Sequence, residues 1–152
     1  MHQNDAVEAE TLPGGTVSVR NARGATLMRR LGPGVVLFVC SGSFSESMHP
    51  PMMRFAQQAL DESGRLALFV DGQQLRSVDT GYREAWTVWF KANKQHFHMQ
   101  LLVRTKLMEM AASIANLLSG GAVIKTYSNV HDWERACARD FPAFQGAQRA
   151  AG

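Results

Sequence analysis

Residues 66–86 read LALFVDGQQLRSVDTGYREAW, and this stretch decides the fold that we predict for the chain. The apolar run at its beginning has the length and the residue types of a strand that is buried on both faces. Tyr82, Ala85 and Trp86 near its end have the spacing of one helical face. Between them lies the turn Asp79-Thr80-Gly81, where we expect the helix to begin.

The same alternation of strand and helix continues on both sides of this stretch. The segments VVLFVCSG, HMQLLVR and AVIKTYS predict strands, and TVSVRNA and GATLMRRL predict a pair of short strands before them. The helical segments are SMHPPMMRFAQQALDESGR, TKLMEMAASIANLLSGG and NVHDWERACARD. Gly64 is expected to end the first of these helices and Asn129 to cap the last. Such an alternation predicts an α/β domain: a mixed sheet with an N-terminal antiparallel strand pair, then parallel strands with about four covering helices.

The length of 152 residues fits one domain. We predict a flexible N-terminal lead over residues 1–15, a single domain over residues 16–140 and a flexible tail over residues 141–152. No run of about 18 apolar residues occurs, so no membrane span is expected. The acidic N-terminal segment lacks the features of a secretory signal, which favours a cytoplasmic protein.

Charge and cysteine content exclude several classes of site. The net charge is only +3 and the basic residues are scattered, so nucleic-acid binding is not predicted. Cys40 and Cys137 form no CxxC motif, which favours two buried thiols in a reducing compartment; a bridge between them stays open. His96 and His98 lack further ligands at metal spacing, so they are expected to be solvated loop residues, and neither a metal nor a cofactor is predicted.

Polar side chains follow each predicted strand of the parallel part of the sheet. Ligands and switches gather beyond the carboxyl ends of such strands, so this edge is a candidate site. The same residue types also serve as turn residues and helix caps, and that alternative stays open for each of them. The polar residues at this edge are Ser41, Ser43, Ser45, Asp71, Ser77, Asp79, Thr80, Arg104, Thr105, Lys106, Ser128 and Asn129.

The strand that ends at Asp71, the apolar Leu75 and Val78, and the turn Asp79-Thr80-Gly81 resemble the STAS domain, named for sulfate transporters and anti-sigma-factor antagonists. The order of elements over residues 16–138 and the ending VIKTYSNVHDWERA fit that family as well. The likeness is greatest to a divergent anti-sigma-factor-antagonist-like branch, often described as STAS/lipid-transfer-like domains of unknown role.

The resemblance implies a non-enzymatic regulatory or protein-interaction module. In regulatory members of the family, a partner kinase phosphorylates the serine just before the glycine, a position that falls on Thr80. A phosphate there meets the positive end of the helix dipole, and its charge opposes docking of a partner. The chain departs from the family pattern, because Val78-Asp79-Thr80-Gly81 stands where Asp-Ser-Ser-Gly is usual. Asp79 would repel a phosphate on Thr80, and the alternative is that Asp79 or Thr80 only caps the helix.

A protein partner, either a regulator or a kinase, is expected to dock around the phosphoswitch candidate Thr80. Three of the proposed contacts are basic and form a patch suited to an anion or an acidic partner; plain surface charge is the alternative. Trp89 and Phe90 cover too wide an arc for one helix face, so one ring is expected to be exposed, at a partner or homodimer surface. The candidate partner-binding residues are Ser77, Asp79, Gly81, Tyr82, Arg83, Arg104 and Lys106.

Two other function classes remain as alternatives. The aromatic residues of the helix after Thr80, together with several methionines, suit a carrier of a small apolar or lipid-like ligand held between helices and sheet. An enzyme is the weaker alternative, because the sequence contains no G-x-S-x-G, P-loop or G-x-G-x-x-G motif. We therefore predict that the protein is not an enzyme.

Overall fold

One seven-stranded mixed sheet forms the centre of the computed structural model, which describes residues 6–121 and 123–144. The strands lie side by side in chain order. Neighbours from β1 to β4 are antiparallel, and neighbours from β4 to β7 are parallel. The strands are β1 Glu8–Thr11, β2 Val17–Arg20, β3 Gly24–Gly32, β4 Val35–Phe44, β5 Leu66–Val78, β6 Phe97–Val103 and β7 Ile124–Tyr127.

Four α-helices in the described part of the chain cover the sheet, three on one face and one on the other. Because each crossover between parallel strands adds the next strand on the same side, right-handed connections place α1, α2 and α3 on one face. The last helix, α4, packs on the opposite face around the fully buried Trp133. The helices are α1 His49–Ser63, α2 Thr80–Asn93, α3 Lys106–Leu118 and α4 Val130–Asp140.

Helix boundaries follow the local signals that the sequence carries. Pro50 lies in the first turn of α1, and Gly64 ends that helix with a left-handed φ of 74°. Asn129 accepts hydrogen bonds from the backbone N–H groups of His131 and Asp132, and thereby caps α4. The predicted α/β architecture with a mixed sheet and about four helices is confirmed.

The sheet begins earlier than the sequence indicated. Residues 8–11, which were expected within a flexible lead, form β1 and pair with β2 from Glu8 opposite Arg20 to Thr11 opposite Val17. The antiparallel part therefore extends beyond the predicted pair of strands. A four-residue polar strand carries no periodic apolar signal, and only its backbone pairing identifies it. Residues 1–5 of the predicted lead lie outside the described residues.

The beginning of the predicted tail is packed against the domain. Phe144 is 5% exposed, and its ring contacts the rings of Phe69 and Trp133 at centroid distances of 5.3 and 5.6 Å. Residues 141–144 thus help α4 to cover the second face of the sheet, and for them the expectation of a flexible tail is wrong. Residues 145–152 lie outside the described residues.

Trp89 and Phe90, of which one was expected to be exposed, are both buried. Trp89 is 7% and Phe90 is 4% exposed. The strand order places α2 between α1 and α3, so side chains on both flanks of α2 find neighbours. Trp89 Nε1 donates to Gln57 Oε1 on α1 at 2.8 Å, and the ring of Phe90 stacks on Phe97 of the sheet. The expectation of an exposed ring on α2 was therefore wrong.

The two cysteines are free, and they belong to core clusters on opposite faces of the sheet. The alternative of a bridge between Cys40 and Cys137 is thereby excluded. Burial raises the pKa of Cys40 to about 12, and the pKa of Cys137 is raised further by the same cause. Burial therefore disfavours the thiolate form of both side chains, which is the reactive form of cysteine.

Candidate functional site

The Thr80 turn, defined here as residues 77–81, stands on an extension of two strands. β5 remains paired with β4 as far as Val78 opposite Phe44, whereas its pairing with β6 ends at Gly72 opposite Val103. β5 therefore continues for six residues beyond its last pair with β6, which at about 3.3 Å per residue amounts to up to about 20 Å. This extension carries the turn away from the rest of the parallel edge.

Some polar residues that were expected in loops at this edge lie within the strands of the extension. Ser43 is part of β4 and Ser77 is part of β5. Ser77 Oγ donates a hydrogen bond to Ser43 Oγ at 2.9 Å, so this candidate partner-binding hydroxyl is engaged between the strands. The strands continue because backbone pairing persists through two register shifts, which the apolar pattern of the sequence does not reveal.

Asp79 fixes the point at which α2 begins. Its backbone is extended, and its Oδ1 accepts a hydrogen bond from the Tyr82 backbone N–H at 2.8 Å. Its own N–H donates to the carbonyl of Phe44 at 2.9 Å, which ties the turn to the end of β4. Asp79, and not Thr80, is thus the N-cap. Thr80 is the exposed first residue of the helix, and its hydroxyl is not needed for capping.

The surroundings of Thr80 contain both signs of charge. The short 3₁₀ turn Glu46–Met48 packs against the beginning of α2 and brings the carboxylate of Glu46 next to Gly81. Arg83 follows Thr80 by three residues, a spacing at which side chains on a helix are neighbours. Among the described residues, the Arg83 guanidinium has no acidic partner. A phosphate on Thr80 would thus meet one unpaired cation and two carboxylates.

The three basic candidates lie on different elements of the structure. Arg104 directly follows β6 and therefore lies near the level of Gly72, well before the end of the strand extension. Lys106 lies in the first turn of α3, and its Nζ is 3.4 Å from Glu109 Oε1. Within the described part of the chain, neither side chain makes a hydrogen bond or ion pair with the Thr80 turn. Of the three, only Arg83 is adjacent to Thr80.

Tyr82 is directed into the core. Its ring meets Phe44 edge to face at 5.5 Å, and its hydroxyl contacts Met52 Sδ at 3.7 Å. Burial holds the pKa of Tyr82 well above the ordinary value of 10.0. The side chain of this candidate partner-binding residue therefore packs α2 against the core. A partner at this surface would contact the exposed residues of the Thr80 turn instead.

A small apolar cavity lies beneath α2 and α3. Its volume is about 90 Å³, and it opens between the two helices and the sheet. The lining is almost wholly hydrophobic, and Arg83 is its one charged residue. Side chains that line it include Phe38, Met52, Tyr82, Trp86, Met108 and Ala112.

A hydrogen-bonded network near the opposite ends of the parallel strands includes His98, which was expected to be a solvated loop residue. His98 lies in β6 and not in a loop, and its Nε2 is 2.6 Å from Asp140 Oδ2. Gln100 donates to the same carboxylate oxygen and accepts a hydrogen bond from the Tyr127 hydroxyl at 2.7 Å. An open cleft of about 580 Å³ adjoins it, bordered by Arg65, His96 and Arg139. Sequence reasoning missed this network because its members are distant in the chain.

The described residues, 6–121 and 123–144, contain no group of three or more His, Cys, Asp or Glu side chains that could hold a metal ion. None of the helices in that part of the chain combines the length and the hydropathy that crossing a bilayer requires.

Comparison with known proteins identifies the fold. No protein family model and no curated protein matches the chain. Among solved structures, the chain is similar to the crystal structure of an uncharacterized protein from the DUF3478 family of Shewanella loihica PV-4, described as having a SpoIIAA-like fold. The two share 16% identity over 72% of this chain and 90% of that chain, with a TM-score of 0.53.

The chain has a SpoIIAA-like fold. This is the fold of the STAS domains and anti-sigma-factor antagonists that the Thr80 turn resembles, so the fold implied by that resemblance is confirmed. At 16% identity the likeness shows the SpoIIAA-like fold alone. The role of the Thr80 turn has to be argued from its own geometry.

Proposed function

We propose that the protein is a non-enzymatic, cytoplasmic regulatory module that docks a protein partner at the Thr80 turn and α2, with phosphorylation of Thr80 as the switch. The observation that carries this proposal is the position of the Thr80 hydroxyl. Thr80 is an exposed residue, and it is the first residue of a helix whose cap is supplied by another side chain, Asp79. The hydroxyl is therefore available for modification without loss of the helix start.

The charge distribution supports a switch that acts by electrostatics. A phosphate on Thr80 gains from the positive end of the helix dipole and from Arg83. It also adds about two negative charges beside Asp79 and Glu46. The modified turn would be strongly acidic, so a partner that tolerates the unmodified surface is repelled. The proposed docking surface consists of the Thr80 turn and the exposed side of α2 with Arg83, and it does not include Arg104 and Lys106, which lie at the N-terminal end of α3.

The proposal is tested on the protein purified gently from its own cells. Intact mass and peptide mapping are expected to show a phosphate on Thr80 in part of the population. Wild type and Thr80→Gln are expected to retain a stoichiometric protein partner, whereas Thr80→Glu loses it. Gln matches Glu in size and lacks its charge. Full retention of the partner by Thr80→Glu, with no phosphate on Thr80, would overturn the switch.

A second candidate function is a carrier of a small apolar ligand, and the cavity beneath α2 and α3 is the observation that favours it. A cavity of about 90 Å³ is well below the roughly 300 Å³ at which drug-sized sites begin. A lipid chain would require α2 and α3 to separate. In the same native-mass experiment, a lipid-sized extra mass with Thr80→Glu behaving as wild type would favour the carrier.

A further inference from the structure

The exposed apolar side chains of the molecule are concentrated on α3. In the described part of the chain, six large hydrophobic side chains are exposed, and five of them belong to this helix. The exposed fractions are 66% for Leu107, 59% for Met110, 44% for Ile114, 77% for Leu117 and 59% for Leu118. The opposite side of α3, with Met108, Ala112 and Ala115, packs against the core. The helix is thus apolar on two faces, of which only one is covered.

The exposed face follows a heptad-like spacing, here called the α3 stripe and consisting of Leu107, Met110, Ile114 and Leu117. The steps of three, four and three residues give a seam of the kind that pairs helices. The four positions of the α3 stripe are also arranged symmetrically along the helix about Ala112. Leu107 and Leu117 lie five residues on either side of Ala112, and Met110 and Ile114 lie two residues on either side.

This symmetry fits one occupant, a second copy of the same helix. A two-fold axis at the level of Ala112 reverses the direction of α3 and places Leu107 over the partner's Leu117, and Met110 over the partner's Ile114. A two-fold interface requires a patch that is complementary to itself in this way. We propose that the protein forms a homodimer through antiparallel pairing of α3. The proposal does not rest on the function of Thr80.

Charge complementarity supports the antiparallel arrangement. Arg104 and Lys106 lie at the N-terminal end of α3, where the helix dipole disfavours positive charge, and the last turn has no basic residue. Antiparallel pairing brings these cations to the C-terminal end of the partner's α3, where the dipole favours them. The stem of Lys106 then covers Leu118 of the partner. A parallel pairing would instead place four cations together.

The area of the patch is sufficient for a modest dimer. The exposed fractions of the five α3 side chains correspond to roughly 600 Å² of largely apolar surface, against the roughly 800 Å² that a standard interface buries on each partner. Flanking polar side chains supply the difference. A membrane surface is a weaker fit, because interfacial helices carry a strongly basic polar face, whereas α3 balances Lys106 with Glu109.

The experiment is sedimentation velocity on the full chain from 1 to 100 µM. Opposite charges introduced at positions 107 and 117 test whether these two positions face each other across the dimer. Wild type is expected to approach twice its monomer mass of 16.8 kDa. Leu107→Lys and Leu117→Glu are each expected to weaken dimerisation at least tenfold. The double variant is expected to regain most of the loss, because each introduced lysine would face the glutamate introduced into the partner. Val88→Lys, at a 71% exposed position on α2, is the matched control and leaves the dimer intact.

Three outcomes would overturn the proposal. The first is a wild type that is monomeric at every concentration. The second is a dimer whose affinity is unchanged by either single substitution. The third is a double variant that dimerises more weakly than either single variant. A Leu107→Cys, Leu117→Cys double variant tests the same pairing by cross-linking, and oxidation is expected to give a disulfide-linked dimer. The two introduced cysteines of one helix lie about 15 Å apart, which is too far for a disulfide within one chain. The native thiols are buried and do not compete. A monomer that co-sediments with vesicles of phosphatidylglycerol would assign the α3 stripe to a membrane.

Discussion

A Cβ atom added to Gly81 would lie 2.5 Å from Oε1 of Glu46, a separation that no real contact permits. The acid from the short turn after β4 thus occupies the space beside the second residue of α2. This contact ties the beginning of the helix to the strand extension, and it places a carboxylate next to the residue that we propose is modified.

Gly81→Ala tests that contact. Alanine in a helix is ordinarily more stable than glycine by about 0.5–1 kcal/mol. Here the gain is expected to disappear, because the side chain of Glu46 has to move. In a Glu46→Ala background the gain should return, giving a coupling of about 0.5–1 kcal/mol in a double-mutant cycle measured by urea unfolding. Equal effects of Gly81→Ala in both backgrounds would show that Glu46 does not constrain this position.

Asp79→Ala removes the cap of α2. Loss of the hydrogen bond to the Tyr82 N–H is expected to lower the free energy of unfolding by about 1 kcal/mol. Asp79→Asn should retain most of the stability, since asparagine caps as well as aspartate. The pair separates capping from charge, and Asp79→Asn is also expected to ease phosphorylation of Thr80 by removing a repulsive charge. Equal losses for Ala and Asn would contradict the capping role.

Because of His49, we expect the free energy of unfolding to be lower at mildly acidic pH than at neutral pH. Burial lowers its pKa in the folded protein below the ordinary 6.5, and its Nε2 has no hydrogen-bond partner among the described residues. Below pH 6.5 the unfolded chain therefore binds a proton that the folded chain resists, so the free energy of unfolding falls as the pH falls.

His49→Phe keeps an edge-to-face ring against Trp86 and cannot titrate. Urea midpoints measured at about pH 7.5 and about pH 5.5 are expected to differ less for this variant than for wild type. His96→Gln, at an exposed position, serves as the control and should keep the wild-type difference. An identical pH dependence in wild type and His49→Phe would exclude His49 as the cause.

The cavity beneath α2 and α3 is expected to admit small apolar probes. Cavities lined by hydrophobic side chains bind xenon or benzene without polar contacts. Xenon should therefore perturb the NMR methyl signals of Met52 and Met108, and raise the free energy of unfolding by about 1.4 kcal/mol at ten times its Kd. Ala112→Val partly fills the space and should weaken binding, whereas Ser113→Ala, which changes an exposed neighbour, should not. Equal binding by both variants would place the xenon elsewhere.

The order of strands and helices was readable from the sequence because it depends on short-range signals. Apolar runs, the prolines at the start of α1, Gly64 and the caps Asp79 and Asn129 all act within a few residues of their own position. These signals also placed the Thr80 turn at the beginning of a helix. The fold class followed, since alternating strands and helices have few ways to pack.

Only the tertiary structure decided how these elements meet. The extension of β5 beyond β6, which separates Arg104 from Thr80, is a matter of strand register that no local pattern encodes. The pairing of His98 with Asp140 joins residues 42 positions apart. Burial of both Trp89 and Phe90 follows from the place of α2 between two other helices, and the same packing leaves the α3 stripe uncovered. Local sequence sets which backbone forms, whereas the burial of each face is set by contacts between segments that lie far apart in the chain.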